Sequence, residues 1–565
     1  MAVVIIISQQ FLFKKVEPSS PGQKQPAQQQ QKEQQAASTP APPVAAPTPP
    51  GKSSTITTKQ AKTETETVVE NDLYKITFTN KGALVKSWLL KKYKDDKGQP
   101  LELVNDKAAP QFGYPLSLYT QDENLRTKLN SALYLTEAGS KLTIPGKLEF
   151  DYSDGDVTVR KEFTFDKSYV IGIHTSVVRN GAYVTALPAW PSAFGDMTIP
   201  GTYSGLRNDY DNGSDVERLS ADRSGKSISG GRVMQPPFEW AGVSDQYFAA
   251  VFMPEEPQRA AMVQLRNTLQ VPKSASKPDP NDTSAVQVIG AAVGPLSAPV
   301  NARIFVGPKA LDVLETVRST AHGRTWDLRP VVDFGKFHFV ARPLFLWLHW
   351  TYDHWIPNWG WAIIFLTVVI NAALLPLRIM SMRSALKMQK IAPQVQSIND
   401  KYKKFSMKDP RRQEAQKEIS ALYKEHDVNP AGGCWPLLIQ MPFLWAFWTM
   451  LSAAIELRGA HWLWLRDLSQ PDQLYLIPIT IILSTLIMQR MTPQAGMNPE
   501  QAKMMNLFMP LMLGFMSYSV ASGLGLYWLT GTIVGIVQQW AMNRTALGKE
   551  IQAIQQKRAA KHAKK

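Results

Sequence analysis

A single cysteine, Cys434, stands among 565 residues, so the chain cannot close an intrachain disulfide or build a zinc site of the multi-thiolate kind. His349, Asp353 and His354 could together approach a metal, but no further strong ligand joins them. They sit in a run crowded with Phe345, Trp347, Trp350, Tyr352 and Trp355, which reads better as an aromatic interface. Gly51-Lys52-Ser53 has the end of a phosphate loop without its first glycine and without a preceding strand. Between residues 63 and 329 the Asp, Glu and His side chains are scattered, with no pair at a spacing suited to acid–base or glycan chemistry. No bond-making centre emerges, so neither an enzyme nor a cofactor is expected.

The elements around these residues explain why: the chain changes solvent along its length. The net charge is +15, and the Lys and Arg residues flank apolar stretches instead of interleaving with stacking aromatics. That distribution favours membrane topology over nucleic-acid binding. Five stretches, 359–377, 434–455, 474–488, 504–521 and 524–542, contain no charged residue. Most approach the roughly 20 residues that a helix needs to cross hydrocarbon, and the third is short enough to imply local thinning or polar extensions. The segment 378–433 carries twelve Lys or Arg against six Asp or Glu, and the tail 543–565 carries seven against one. Loop 456–473 has only Arg458 and Arg466 as cations. Cations collect on the cytoplasmic side, which puts 378–433, the short loop 489–503 and the tail inside and 456–473 outside. Five crossings close this assignment only if everything before residue 359 that folds lies outside.

That part begins with an apolar segment, 1–16, about 20 Å long over its first thirteen residues, readable as a shortened anchor helix or as a frayed terminus. Residues 17–62 are rich in Pro, Gln and Ala and form a tether with almost nothing to bury. From 63 to 329, short alternating runs predict strands at Leu73–Thr79, Val157–Phe165, Tyr169–Val178, Gln246–Met253 and Ala302–Val306, packed as a two-layer β-sandwich. Asp154-Gly155 predicts a tight hairpin turn, because glycine supplies the positive φ such a turn needs. Residues 309–322 read as a short helix closing the domain, and 330–358 as an amphipathic helix lying in the membrane interface. Inside 378–433, helical apolar spacing over Met380–Phe405 and Arg411–His426, split by Lys408-Asp409-Pro410, predicts a helical hairpin.

At Asn429-Pro430-Ala431-Gly432-Gly433-Cys434-Trp435-Pro436-Leu437-Leu438-Ile439-Gln440-Met441-Pro442 the sequence resembles the signature of the YidC family of membrane protein insertases. Trp240-Ala241-Gly242-Val243-Ser244-Asp245-Gln246-Tyr247 resembles the family's periplasmic domain, and Ser522-Gly523-Leu524-Gly525-Leu526-Tyr527-Trp528 the start of its last span. The resemblance covers residues 63 to 545. It implies a polytopic α-helical membrane protein with a five-helix insertase core, a cytoplasmic hairpin and an extracytoplasmic all-β supersandwich domain. It also implies a hydrophilic groove that takes in the polar end of a client and passes its apolar helix to the bilayer, which lowers the cost of moving unpaired polar groups through hydrocarbon.

The family usually carries an arginine in its first core span, five residues before a Pro-Leu ending; counted back from Pro376-Leu377, that position here is Asn371. Thr367, one turn earlier, matches the family. Arg378 lies seven residues beyond Asn371, two turns along the same face, and is expected to present the displaced charge at the groove mouth unless Pro376 turns it away. The resemblance adds Gln440, Met441, Tyr527, Trp528 and Thr532 as groove positions. Of the 20 methionines, 15 lie at or beyond Met380, and a thioether surface suits a binder of many apolar helices. The partners implied are nascent membrane-protein clients, the Sec translocon, the ribosome, the signal-recognition targeting receptor and membrane lipids. A channel or secondary transporter is the rival reading; it predicts intramembrane acids or internal repeats, and the sequence has neither.

Overall fold

The computed structural model describes residues 58–95, 98–221, 228–274, 279, 281–321, 324–402, 405, 410–426, 435–492, 499–546, 548–550 and 552–554. The anchor at 1–16, nearly all of the linker, the loop containing Cys434 and the end of the basic tail therefore lie outside the described residues. Each of the five predicted strands is present, as Tyr74–Thr79, Val157–Phe165, Val170–Arg179, Phe248–Pro254 and Val300–Pro308. Period-two patterning is the cause: along Val157–Phe165 every second residue is buried. This strand pairs antiparallel with Gly146–Ser153 through the expected turn, where Gly155 has φ +94° and Asp154 Oδ1 accepts from the amides of Asp156 and Val157.

Among the described residues the strands form three large sheets and a two-stranded one. A nine-stranded sheet runs from Val216–Ser220 at one edge to Gly146–Ser153 at the other. One five-stranded sheet contains Leu84–Lys94 and Tyr74–Thr79; a second contains Ala260–Pro272 and Thr283–Pro295. Aromatic contacts join them: Phe78 packs on Phe163 with centroids 5.1 Å apart, and Trp88 on Trp190 at 5.8 Å. Where the sheets converge, Lys161 of the nine-stranded sheet is fully buried, and its Nζ donates to the carbonyls of Gly82 (2.8 Å), Ala83 (3.1 Å) and Leu116 (3.0 Å). Buried turn carbonyls need donors, and a lysine supplies three at once. Alternation reveals which face of a strand is buried but not which sheet it joins. The expected helix at 309–322 is also shorter: it covers Leu311–Thr316, and Arg318–Ala321 turns into a hairpin with Arg324–Asp327.

Among the described residues eight helices follow the β-rich half: α1 His338–His354, α2 Trp359–Ala373, α3 Leu375–Tyr402, α4 Pro410–Glu425, α5 Trp435–Ala453, α6 Leu476–Met491, α7 Pro499–Tyr518 and α8 Ser522–Arg544. Helix α1 buries Ala341, Leu344, Phe345, Leu348 and Thr351 on one stripe and exposes Phe339, Leu346, Trp347 and Trp350 on the other. The other seven occupy the five apolar stretches and the hairpin. Among the described residues no single helix is long and apolar enough to cross a membrane. Helices α2 and α3 meet that test only as a pair, bent by 47°. The break falls at Leu374, ahead of Pro376, so α3 runs straight from the apolar stretch into the hairpin instead of beginning at Met380. Helix α4 starts at Pro410 and pairs with α3 through Glu418, which accepts from Tyr402 Oη (2.7 Å) and Lys401 Nζ (3.0 Å).

Candidate functional site

Helix α8 packs against α2, α5 and α6, which makes it the axis of the helical half. Small residues allow this: a methyl group at Gly531 would lie 3.9 Å from Asn371 Nδ2 and 4.0 Å from Thr367 Cγ2. At Gly535, one turn on, a methyl would come within 3.0 Å of Arg378 Nη1 and 3.4 Å of Met488 Cε. The bend at Leu374 does not rotate Arg378 away. Its guanidinium lies in the gap left by Gly535, a turn from Asn371 measured along α8.

Thr367 and Asn371 are buried, at 0% and 7% exposure. Thr367 Oγ1 donates to Ile363 O (2.6 Å), and Asn371 Nδ2 donates to Thr367 O (2.8 Å), so both side chains bond to their own helix. The sequence reading missed Gln538. Its Nε2 donates to Asn371 O at 3.0 Å, and its Oε1 is buried and finds no hydrogen-bond partner among the described residues. The Oε1 of Gln489 on α6 is unsatisfied in the same way. Nearby, Gln539 Nε2 donates to Asn543 Oδ1 (2.8 Å), and Asn543 Nδ2 to Met491 O (3.2 Å). The pair Gln538-Gln539 interrupts the apolar run 524–542, and that interruption was the available signal.

The other expected groove residues are less concentrated. Tyr527 is buried and stacks on Phe447 of α5, with centroids 4.2 Å apart and planes 10° from parallel; this is helix packing. Trp528 tilts towards Trp448 at 6.3 Å, and Thr532 Oγ1 donates to Trp528 O (2.9 Å). Met441 is 41% exposed. Gln440 belongs to α5, but its side chain lies outside the described residues. The structure thus brings Thr367, Asn371 and Arg378 together with Gln538 on α8, at the end of the bundle from which α3 leaves. One cation and unsatisfied amide oxygens in an otherwise apolar setting can hold the polar groups of another chain; they have no nucleophile or acid–base pair with which to alter it. Among the described residues no three His, Cys, Asp or Glu side chains gather as a metal site would require.

Two family models match the chain: the 60Kd inner membrane protein model over residues 350–550 and the YidC periplasmic domain model over residues 66–347. Among similar curated proteins, the membrane protein insertase YidC of Cupriavidus pinatubonensis is 32% identical over 479 residues, covering 80% of each chain. That of Geotalea uraniireducens is 30% identical, over 85% of this chain and 87% of the relative. Of the solved structures, a crystal structure of an active YidC insertase with its first transmembrane domain resolved is 17% identical, covers 87% of this chain and 95% of that one, and has a TM-score of 0.35.

Proposed function

The chain belongs to the YidC family of membrane protein insertases, and from that premise we propose that it inserts clients through a polar groove bordered by α2, α3 and α8. Its relatives are inner-membrane insertases, so its role is to place membrane proteins, and its β-rich half is the periplasmic domain. The observation that supports the groove is Arg378 lying against Gly535, one turn beyond the Asn371–Gln538 contact. An arginine at the end of a span, with its aliphatic stem in the bundle, meets the polar terminus of a client without the full cost of a charge at mid-membrane. The bent α2–α3 pair and the other three apolar stretches serve as the crossings, with the hairpin and basic tail cytoplasmic. That side suits a ribosome, a targeting receptor and the cytoplasmic face of the Sec translocon. The cations of the tail reward contact with RNA or anionic lipid alike.

The test is depletion of the host insertase, rescue with this chain or its variants, and protease protection of a small Sec-independent client. Rescue by the unaltered chain, lost in Arg378→Ala and retained in Arg378→Lys, supports the reading. Full rescue by Arg378→Ala removes the displaced cation from the mechanism, and failure of the stably expressed unaltered chain to rescue removes the insertase reading itself.

A further inference from the structure

The junction of α2 and α3 cannot fix its own angle. The two helices meet at Leu374 with a bend of 47°. Pro376, in the first turn of α3, has no N–H, and its ring crowds the carbonyl four residues back, that of Ala372. The backbone ladder is interrupted accordingly. Leu374 N donates to Ile370 O at 2.9 Å, and the ladder resumes only with Arg378 N to Leu374 O, at a long 3.3 Å. In a continuous helix Asn371 O would accept from the amide of Leu375. Here α2 ends before that bond could form, and the donor to Asn371 O is Gln538 Nε2 of α8, at 3.0 Å.

Gly531, Gly535 and Gln538 stand at i, i+4 and i+7, on one face of α8. Gly531 lies beside Asn371, before the junction, and Gly535 beside Arg378, beyond it. The same face thus meets both arms of the bend, and Gln538 bonds the carbonyl that the break sets free. A hydrogen bond weakens steeply outside a narrow range of distance and angle, so this one favours a single bend among those that a proline junction allows. The Oε1 of the same side chain is buried and finds no partner among the described residues, which costs stability. A leucine at 538 would avoid that cost, so packing does not explain the glutamine; the bond from its N–H does. We propose that Gln538 is a positioning residue: by pairing the carbonyl of Asn371 it fixes the α2–α3 bend, and the bend holds Arg378 in the gap of Gly535, where a client meets it. The inference rests on the groove proposed above and adds what sets the place of its cation.

The bend is read directly by double electron–electron resonance on the full chain in nonionic detergent. The single native cysteine is removed as Cys434→Ser, and spin labels are placed by Val368→Cys on α2 and Arg383→Cys on α3, both exposed positions. With Gln538 intact one narrow distance is expected. Gln538→Leu, which keeps the volume, and Gln538→Asn, which is too short to reach Asn371 O, should each broaden it towards longer values. The double variant Pro376→Ala, Gln538→Leu, whose junction regains its N–H, supplies the straightened reference. Without the labels, Gln538→Leu and Gln538→Asn should each lower client insertion roughly three- to tenfold in the protease-protection assay, the size of one hydrogen bond's net contribution. An unchanged narrow distance in both variants overturns the proposal, and lowered insertion would then make Gln538 a direct client contact. A broadened distance with insertion intact overturns it as well, because the bend would then not serve the groove. The distance is read without a client, so failure of the unaltered chain to rescue a depleted host, which removes the groove reading, is distinguishable from absence of the bond's effect on the bend.

Discussion

Arg378 and Gly535 make one unit: the guanidinium occupies the space that any side chain at 535 would take. Gly535→Leu should push the guanidinium out and lower client insertion roughly three- to tenfold in the protease-protection assay. Gly535→Ala should cost little, because the far end of an arginine can move by a few tenths of an ångström. A second residue-scale prediction concerns Lys161. Burial pushes its ammonium down to about 7, although three carbonyls hold the charged form. An unfolded lysine titrates at about 10.4. Between those values the unfolded chain binds more protons than the folded one, so stability should rise with pH across that window. Lys161→Met should abolish that slope and leave three buried carbonyls without donors, destabilising the β-rich half on the order of 3 kcal/mol. Denaturant midpoints at pH 7 and 9.5 for both proteins check sign and size.

Helix α1 is tied to the loop beyond α5 by His349 and Glu456, 3.2 Å apart, with the histidine flanked by Phe345 at 4.7 Å and Trp359 at 5.0 Å. Burial lowers the imidazole's affinity for its proton, but Glu456, with Asp353 and Asp312 behind it, outweighs this and raises the pKa above the usual value of 6.5. A raised folded pKa means that the stabilisation is fully present below the unfolded value and lost as pH climbs through the folded one. The clasp should therefore hold α1 at pH 6 and loosen in mildly alkaline buffer. Hydrogen exchange of the α1 amides should accelerate between pH 6 and 8.5, after correction for intrinsic rates, in the unaltered chain and not in His349→Phe. Both partners were visible in the sequence, one in an aromatic run and one in a loop 107 positions on, but nothing in either segment reveals that they meet.

The two halves of the molecule share one continuous hydrophobic core, and its polar seam is Arg458. Its guanidinium pairs with Asp196 of the β-rich half at 2.8 Å and lies over the rings of Tyr247 (5.5 Å) and Phe248 (5.3 Å). Gln246 Nε2 adds a bond to Ser452 O at 2.8 Å, and Lys309 Nζ holds Asp245 O at 2.8 Å. The segment Trp240–Tyr247, noted first as a family motif, thus supplies part of the plate on which the helical half rests. Arg458→Ala should leave the carboxylate of Asp196 buried and unpaired, a loss of about 3–5 kcal/mol. Calorimetry of the full chain should then resolve separate melting of the two halves where the unaltered protein melts them together. A single unshifted transition would show that the apolar core alone couples them.

Local periodicity determined the strands at 74–79, 157–165 and 170–179 and the helices of the apolar stretches, because alternation and helical spacing are properties of a few consecutive residues facing one environment. Motif and composition sufficed for the family and its work in the membrane. The resemblance also singled out Thr367 and Asn371 as groove positions, and the count along the chain added Arg378 seven residues on. Only the tertiary structure decided that Gln538 completes their contact, that Gly535 makes room for the arginine, and that a lysine closes the joint of three sheets. Each of those depends on groups far apart in the chain. Which distant partner a polar group finds is set by how whole elements pack to bury their apolar faces, and no local pattern encodes that choice.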